Sequence, residues 1–414
     1  MASLKNMFRK AFRKTPVSLN KSRKYELGTQ IIAEPASGDI DNDGSPEVII
    51  GTKDGRVIAY TESGEKKWEY KASGTSDEVE EMFLEAGAEN SIDSKPYLYD
   101  INKDGKLEVL VGTQAGVVYA LDSKGKKIWS YKAGDAVKGS VNAFDADNDG
   151  KEEIVFGSSD GNIYVLDLKG KAKKKISVGS GVESTPDKLG ELLIVGTSKG
   201  EILAYNAEGE KAWSYQTKNK ITAEPSILKT RSGEEKIVVG STDNNLYCLN
   251  KDGTLHWVFE TGGAIYSKAE ITDINKDKEQ EIIFGSCDNN LYVLDEEGKR
   301  LWSYETDFWI IGKPLVMDIN NDGKKEIIIG SYDNNIYVLA GEGVYSVEYI
   351  PGLSGITAQE GNYSDISTQT PGEVIGKNLW LIRVEDIVIG CCQAGKNILA
   401  ETKNGTVIWL QHSQ

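Results

Sequence analysis

Residues 318–339 carry the pattern that decides the fold, and they read Asp318-Ile-Asn-Asn-Asp-Gly-Lys-Lys-Glu-Ile-Ile-Ile-Gly-Ser-Tyr-Asp-Asn-Asn-Ile-Tyr-Val-Leu339. An acidic loop opens the stretch, an apolar run from Ile327 to Ile329 follows, and an alternating run ends at Leu339 after a tight turn. Close copies start at Asp39, Asp100, Asp145 and Asp273. The other repeats keep the strand pattern without the acidic loop, so we expect one array of repeated units.

The acidic loop has the donors of a cation site. Side-chain oxygens stand at loop positions 1, 3, 5 and 9, and a glycine at position 6 permits a sharp bend, although Lys278 replaces it in one copy. Calcium prefers six to eight oxygen ligands at about 2.3–2.6 Å. A solvated turn is the alternative, because Asp, Asn and Gly are common turn residues. Five copies favour calcium, with magnesium as the second choice, at Asp39, Asp41, Asp43, Glu47, Asp100, Asn102, Asp104, Glu108, Asp145, Asp147, Asp149, Glu153, Asp273, Asn275, Asp277, Glu281, Asp318, Asn320, Asp322 and Glu326.

The repeat period predicts a β-propeller. Each repeat predicts four antiparallel strands: A precedes the acidic loop, B ends at a glycine, C alternates, and D usually carries a tryptophan. We assign strand D to Trp409 in the last repeat and to Val347 in the one before it. The glycines that end strand B lie mostly 39–45 residues apart, at Gly51, Gly112, Gly157, Gly196, Gly240, Gly285, Gly330 and Gly390. Eight such repeats favour an all-β, eight-bladed propeller over a seven-bladed one.

Two families resemble these repeats. The acidic loop followed by Glu47-Val-Ile-Ile-Gly-Thr resembles the FG-GAP repeats of integrin α-subunit propellers. The pattern Val-Tyr-Ala-Leu-Asp-x-x-Gly-x-x-x-Trp, ending at Trp129, resembles the repeats of pyrroloquinoline-quinone dehydrogenases and of a propeller lipoprotein that assists outer-membrane barrel assembly. The resemblance covers nearly all of residues 23–414. It implies the propeller fold but little about function.

The chain departs from the repeat in four places. Residues 1–22 form a basic tail, in which residues 1–14 have the spacing of an amphipathic helix that could dock on a membrane or a partner; the alternative is a solvated tail. Insertions stand near residues 74–90 and 364–377, and we assign the second to the connection between strands A and B of the last repeat. Either residues 23–27 or residues 406–410 could complete the last blade.

The predicted start of strand A places a polar ring at one mouth of the central channel. Its members are Glu34, Lys95, Ser140, Thr185, Glu224, Lys268, Lys313 and Gln359, and Tyr266, Phe308 and Trp309 lie in nearby connections. Such a ring could bind a peptide or another polar ligand. The alternative, which we favour, is a ring of ion pairs around a water-filled channel. The candidate binding residues are Glu34, Lys95, Glu224, Lys268, Lys313, Tyr266 and Trp309.

Composition bounds the function. Lys and Arg number 48 against 64 Asp and Glu, a net charge of −16, which disfavours nucleic-acid binding. The chain as written has no signal peptide, lipid anchor or transmembrane stretch, which predicts a cytoplasmic protein that could associate with a membrane. Catalytic patterns are missing, and Cys391-Cys392 is predicted to stay reduced. The sequence therefore favours a non-catalytic, calcium-binding scaffold without an organic cofactor. The alternative is an enzyme, either a quinoprotein oxidoreductase or a calcium-dependent polysaccharide lyase.

Overall fold

A computed structural model of the protein describes residues 19–73, 90–345 and 374–412. Every regular element in these residues is a β-strand. In chain order the strands are β1 (Leu19–Glu26), β2 (Ala36–Gly38), β3 (Glu47–Gly51), β4 (Arg56–Thr61), β5 (Lys66–Lys71), β6 (Tyr97–Tyr99), β7 (Glu108–Gly112), β8 (Val117–Leu121), β9 (Lys127–Lys132), β10 (Asn142–Phe144), β11 (Glu153–Ser158), β12 (Asn162–Leu166), β13 (Ala172–Ser177), β14 (Asp187–Leu189), β15 (Leu192–Gly196), β16 (Glu201–Tyr205), β17 (Lys211–Gln216), β18 (Ser226–Lys229), β19 (Glu235–Gly240), β20 (Asn245–Asn250), β21 (Leu255–Glu260), β22 (Glu270–Thr272), β23 (Glu281–Gly285), β24 (Asn290–Leu294), β25 (Arg300–Glu305), β26 (Leu315–Met317), β27 (Glu326–Gly330), β28 (Asn335–Ala340), β29 (Val344–Tyr345), β30 (Val374–Ile375), β31 (Asn378–Arg383), β32 (Val388–Ala394), β33 (Asn397–Thr402) and β34 (Thr406–His412).

The strands form eight four-stranded antiparallel sheets, and these are the blades of an eight-bladed β-propeller. The predicted eight-bladed fold is confirmed. Blades 1 to 6 each consist of four consecutive strands, beginning with β2. Blade 7 consists of β26, β27, β28 and β31, and blade 8 of β32, β33, β34 and β1, in each case from the innermost strand A to the outermost strand D. Since the strands alternate in direction, the A–B and C–D connections share one face and the B–C and D–A connections share the other.

The N-terminal strand closes the ring. β1 pairs with β34 from Leu19–His412 to Glu26–Thr406 and so becomes the outermost strand of blade 8. Tyr25 packs against Trp409 and Tyr60, with ring centroids 5.6 Å away in both cases. The first and last described strands therefore lie in one sheet, and the paired strand begins at Leu19 rather than at residue 23.

Several sequence assignments in the last two repeats are wrong. Gly390 lies in β32, the innermost strand of blade 8, and not at the end of a strand B. Trp409 lies in the third strand of blade 8, and the tryptophan of strand D in blade 7 is Trp380. The second insertion lies between strands C and D of blade 7, where β29 and β30 pair at its base. Val347, Gln359 and most of residues 364–377 lie outside the described residues, as do residues 1–18 and 74–89.

The glycine that ends strand B is required by blade packing. A β-carbon at Gly285 would lie 2.2 Å from Cγ2 of Ile310, and one at Gly51 would lie 2.5 Å from Cγ2 of Ile92. Those isoleucines come from the D–A connection that leads to the next blade and are fully buried. The apolar clusters lie between adjacent blades, as in the one that joins blades 4 and 5 through Ile194. Each blade thus buries the apolar face of its neighbour, and a single blade could not bury its own faces.

Two N-terminal deletions should distinguish the contribution of the tail to stability from that of strand β1. Deletion of residues 1–14 should leave the melting temperature unchanged, because β1 begins at Leu19. Deletion of residues 1–26 removes seven paired positions of blade 8, and each lost hydrogen bond costs about 0.5–1.5 kcal/mol, so a loss of several kcal/mol is expected. Differential scanning calorimetry of both variants measures this, and equal melting temperatures would show that β1 does not close the ring.

Candidate functional site

The acidic loops connect strands A and B in blades 1, 2, 3, 6 and 7, and all five therefore lie on one face. In the loop of blade 1, Asp39 at position 1 accepts hydrogen bonds from the backbone N–H groups of Asp43 at 3.1 Å and Gly44 at 2.8 Å. The same two contacts recur in the loops of blades 2, 3 and 7. The first aspartate thus fixes the loop backbone in these four blades.

A buried glutamate at position 9 forms the floor of every acidic loop. In each loop one carboxylate oxygen accepts a hydrogen bond of 2.8–3.1 Å from the backbone N–H at position 2. Burial raises the pKa of Glu47, against the lowering effect of Lys67, and burial also raises the pKa of Glu108. The five glutamates are Glu47, Glu108, Glu153, Glu281 and Glu326.

The glutamate in the loop of blade 6 has a strongly raised pKa. Burial, together with the negative charges of Asp277 and Asp273, raises the pKa of Glu281 to about 7. Asn275 donates its amide hydrogen to this glutamate at 3.0 Å, which supplies no full positive charge. Lys278, at the position of the loop glycine, adopts a left-handed conformation with φ of 73°. A cation among these oxygens would therefore compensate charge that the described side chains of the loop leave uncompensated.

The structure brings the oxygen donors together in two further loops. Oxygen atoms of Asp39, Asp41 and Asp43 lie within 4.8 Å of one another, as do oxygen atoms of Asp145, Asp147 and Glu153. Carboxylate and amide oxygens are the hard ligands that calcium and magnesium prefer, so the donor chemistry fits these ions. In blades 1 and 3 a lysine of strand D, Lys67 or Lys173, also contacts the loop carboxylates.

On the other face, the described members of the predicted polar ring form ion pairs and hydrogen bonds. The Ser140 hydroxyl donates a hydrogen bond to the Lys95 carbonyl at 2.9 Å, and the Ser140 N–H donates one to Thr185 Oγ1 at 2.8 Å. Each ring lysine pairs with a carboxylate: Lys95 with Glu34 at 3.2 Å, Lys268 with Glu224 and, at 3.5 Å, with Asp187, and Lys313 with Glu270 at 2.6 Å.

Glu34 lies just before strand A of blade 1 and contacts residues at the start of blades 2, 7 and 8. Its carboxylate accepts a hydrogen bond from the Lys313 backbone N–H at 2.5 Å and pairs with Lys95. It crosses Gly390 of blade 8, where an added β-carbon would lie 3.0 Å from Glu34 Cγ. Burial opposes the charge of Lys95, but the attraction of Glu34 outweighs it and raises the pKa of that lysine. A cavity of about 590 Å³, lined among others by Glu34, Lys95, Lys313 and Cys391, opens beside this bridge.

Sequence reasoning missed Glu401. The stretch Glu401-Thr-Lys-Asn-Gly405 matches Gly51-Thr-Lys-Asp-Gly55, so a glutamate stands where other blades have the packing glycine. The side chain is fully buried, and neither carboxylate oxygen has a hydrogen-bond partner among the described residues. Burial and the charge of Glu34 raise its pKa well above the usual value, against a smaller opposing effect of Lys95. Aligning the turn that follows strand B, rather than glycine alone, would have found it.

An aromatic patch lies on the face of the B–C and D–A connections. Phe308 and Trp309 are more than two-fifths exposed, at 44% and 41%, and their ring centroids are 5.0 Å apart. Tyr332 lies 6.1 Å from Trp309 and donates its backbone N–H to the Trp309 carbonyl at 2.9 Å. Asp307 and Asp333 border the patch, joined by a 3.0 Å hydrogen bond from the Asp307 N–H. Backbone contacts between two connections therefore hold the patch in place.

Comparisons with known proteins point to the same architecture. Residues 90–181 and 254–351 match the family described as the lambda-carrageenase beta-propeller domain, and residues 39–111 match the FG-GAP-like repeat. The chain is a β-propeller, and the FG-GAP-like match lies in its first two blades. The comparison with curated protein sequences finds no significant match. In the described residues, no helix is long and apolar enough to cross a membrane.

Three solved structures illustrate how the propeller resembles known ones. BamB from Moraxella catarrhalis is 15% identical with a TM-score of 0.63, over 95% of this chain and 100% of that one. The computationally designed Ika8 protein is 15% identical with a TM-score of 0.64, over 93% and 96%. BBS1N, solved in complex with ARL6DN, is 11% identical with a TM-score of 0.55, over 96% and 97%. At these identities the likeness shows the fold alone.

Proposed function

We propose that this protein is a non-catalytic propeller scaffold that binds calcium, or magnesium in its place, through the acidic loops and binds a partner through the opposite face. The observation that carries the proposal is the division between the two faces. One face gathers hard oxygen donors around buried glutamates, and the other presents the exposed aromatic patch of Phe308 and Trp309. A cation bound in an acidic loop would tie strand A to strand B and so stiffen the support for the binding face.

The chemistry of the aromatic patch favours a protein partner with apolar and basic side chains. Aromatic side chains that are held rigidly contribute large contact areas at little entropic cost, and they are enriched at protein interfaces. Asp307 and Asp333 border Trp309. Burial is the main cause of the raised pKa of Tyr332, and the negative charge of Asp386 raises it further. This acidic border would attract lysine or arginine side chains next to the apolar contact.

Selection of peptides from a random display library on the full-length protein tests the partner site. Enriched peptides should combine apolar with Lys or Arg residues, and Trp309→Ala should weaken their binding at least tenfold, since central aromatic contacts dominate interface energies. Leu381→Ala is the matched control, because Leu381 is equally exposed, at 43%, but lies on the outermost strand of blade 7. Equal losses in both variants would argue against a specific site at the patch.

Docking through residues 1–14 remains a proposal, since the segment lies outside the described residues. Deletion of these residues should abolish binding to vesicles that contain anionic lipid, if the basic amphipathic pattern acts at a membrane. Vesicle co-sedimentation measures this, and neutral vesicles are the control. Undiminished sedimentation of the truncated protein would contradict the membrane role.

Polysaccharide cleavage is the second candidate, and the match to a propeller family named for lambda-carrageenase favours it. Among the described residues, Glu34 and Glu270 line the cavity, and both are paired with lysines. A cleavage site would use such a carboxylate with its lysine as an acid and base pair. Release of reducing ends from carrageenans, lost in Glu270→Gln, would support this function over the scaffold.

A further inference from the structure

The same β-bulge occurs in the outermost strand of blades 1 to 7. In each blade the register between strands C and D shifts by one residue near the end of strand C, so one residue of strand D is left unpaired. In blade 1, Ala59 pairs with Trp68 and Tyr60 with Lys66, and Lys67 is the extra residue. A bulge leaves one residue without a cross-strand partner and redirects its side chain. The bulged residues, each one before the position of the strand D tryptophan, are Lys67, Ile128, Lys173, Ala212, His256, Leu301 and Leu379.

Two of the five acidic loops receive a lysine from this bulge. The Lys67 ammonium lies 2.6 Å from Asp41 and 2.7 Å from Glu47, with Asp43 at 4.0 Å. The Lys173 ammonium lies 2.7 Å from Asp147, 2.6 Å from Glu153 and 3.4 Å from Asp149. Each ammonium group thus contacts carboxylates from loop positions 3, 5 and 9, which are the positions that would surround a bound ion.

The lysines occur together with a change in the loop itself. Position 3 is an aspartate in the two loops that have the lysine, Asp41 and Asp147, and an asparagine in the other three, Asn102, Asn275 and Asn320. Four carboxylates plus one ammonium give −3, and three carboxylates alone also give −3. The bulged residue in the three asparagine loops is apolar, at Ile128, Leu301 and Leu379. The extra negative charge is therefore present only where the chain supplies its own positive charge.

The ammonium group would compete directly with a metal ion. A divalent ion needs oxygen ligands at about 2.3–2.6 Å, so it would have to displace an ammonium that already holds two of them. The Lys67 ammonium donates hydrogen bonds to Asp41 and Glu47. Lys173 likewise donates a hydrogen bond to Glu153 and forms an ion pair with Asp147. An ammonium group at this position also repels a second cation.

We propose that Lys67 and Lys173 act as built-in cations, so that the loops of blades 1 and 3 are structurally complete without metal and only the loops of blades 2, 6 and 7 bind divalent ions. This inference rests on the proposed cation binding and divides it among the blades. Blades 4 and 5 have neither the loop nor a lysine at the bulge, where Ala212 and His256 stand.

Reciprocal substitutions in the full-length protein test the inference by counting bound calcium in equilibrium dialysis against metal-free buffer. The wild-type protein should bind three ions at saturation. Lys67→Met should open the loop of blade 1 and raise the number to four, while Ile128→Lys should install an ammonium in blade 2 and lower it to two. Ile128 is 46% exposed, so this second variant replaces no buried packing. Lys66→Met and Lys127→Met are the matched controls, since these neighbouring lysines lie one residue before the bulge.

The outcomes separate this inference from the proposed function. Five ions in the wild-type protein, with no change in Lys67→Met, would overturn the inference and leave cation binding intact. Three ions that persist in Ile128→Lys would also overturn it. No bound ion in the wild-type protein would overturn the proposed cation binding and this inference with it. In metal-free buffer, Lys67→Met should lose protection from hydrogen exchange at residues 39–47. Recovery of that protection on addition of calcium would show that metal replaces the ammonium at that loop.

Discussion

Removal of divalent ions should lower the melting temperature of the protein. An ion that binds only the folded state stabilises it by about 2.7 kcal/mol per site at a hundredfold excess over its dissociation constant, so three occupied loops would contribute roughly 8 kcal/mol. Without the ion, the carboxylates of each loop repel one another and the connection between strands A and B should loosen. Calorimetry in chelator and in millimolar calcium measures the total effect.

Hydrogen exchange shows where that effect arises. Chelator should increase exchange most at residues 100–108, 273–281 and 318–326, while the corresponding A–B turns of blades 4 and 5 serve as internal controls. Asp318→Ala should remove part of the chelator sensitivity in blade 7 and leave the distant loop of blade 2 unchanged, because sites more than about 7–10 Å apart act additively. Identical melting in chelator and calcium would mean that the acidic loops are turns and nothing more.

Replacement of Glu401 by glutamine should make the protein less sensitive to pH. The folded state raises the pKa of Glu401 well above the ordinary value of 4.5, first because the carboxyl is buried and then because of Glu34. Above pH 4.5 the unfolded chain releases a proton that the folded chain keeps, so this group makes the folded state less stable as pH rises. The slope is about 1.4 kcal/mol per pH unit, up to the raised pKa of the folded state.

Denaturant unfolding at two pH values measures this slope. Relative to wild type, the unfolding free energy of Glu401→Gln should rise with pH above about 4.5, by up to about 1.4 kcal/mol per pH unit. A constant offset from the buried amide would not alter this difference. Glu191→Gln is the control, since Glu191 is exposed in the A–B turn of blade 4 and should not change the pH dependence. A pH-independent difference for Glu401→Gln would show that the buried carboxyl does not retain its proton.

The strand order of blades 1 to 6 could be predicted from the sequence because it depends on local signals. The predicted count of eight blades was also right, although its eighth marker, Gly390, lies in an innermost strand. The glycine that ends strand B is needed wherever an isoleucine of the next connection lies 2.2–2.5 Å from its β-carbon position, as at Gly285 and Gly51. The acidic loops and the tight turns likewise use residues close in sequence. Their oxygen donors could be named in advance, although their occupancy is a proposal.

The sequence by itself determined the repeat, the eight blades and the five acidic loops, since each follows from residues that are near one another in the chain. Only the tertiary structure decided how the ring closes, because β1 and β34 pair across almost the whole chain and both have a strand pattern. It also decided the positions of Gly390 and Glu401 in blade 8, where one repeat departs from the glycine period. The contact of Lys67 with Glu47 depends on a bulge between strands C and D, and alternation along a single strand cannot specify such a bulge.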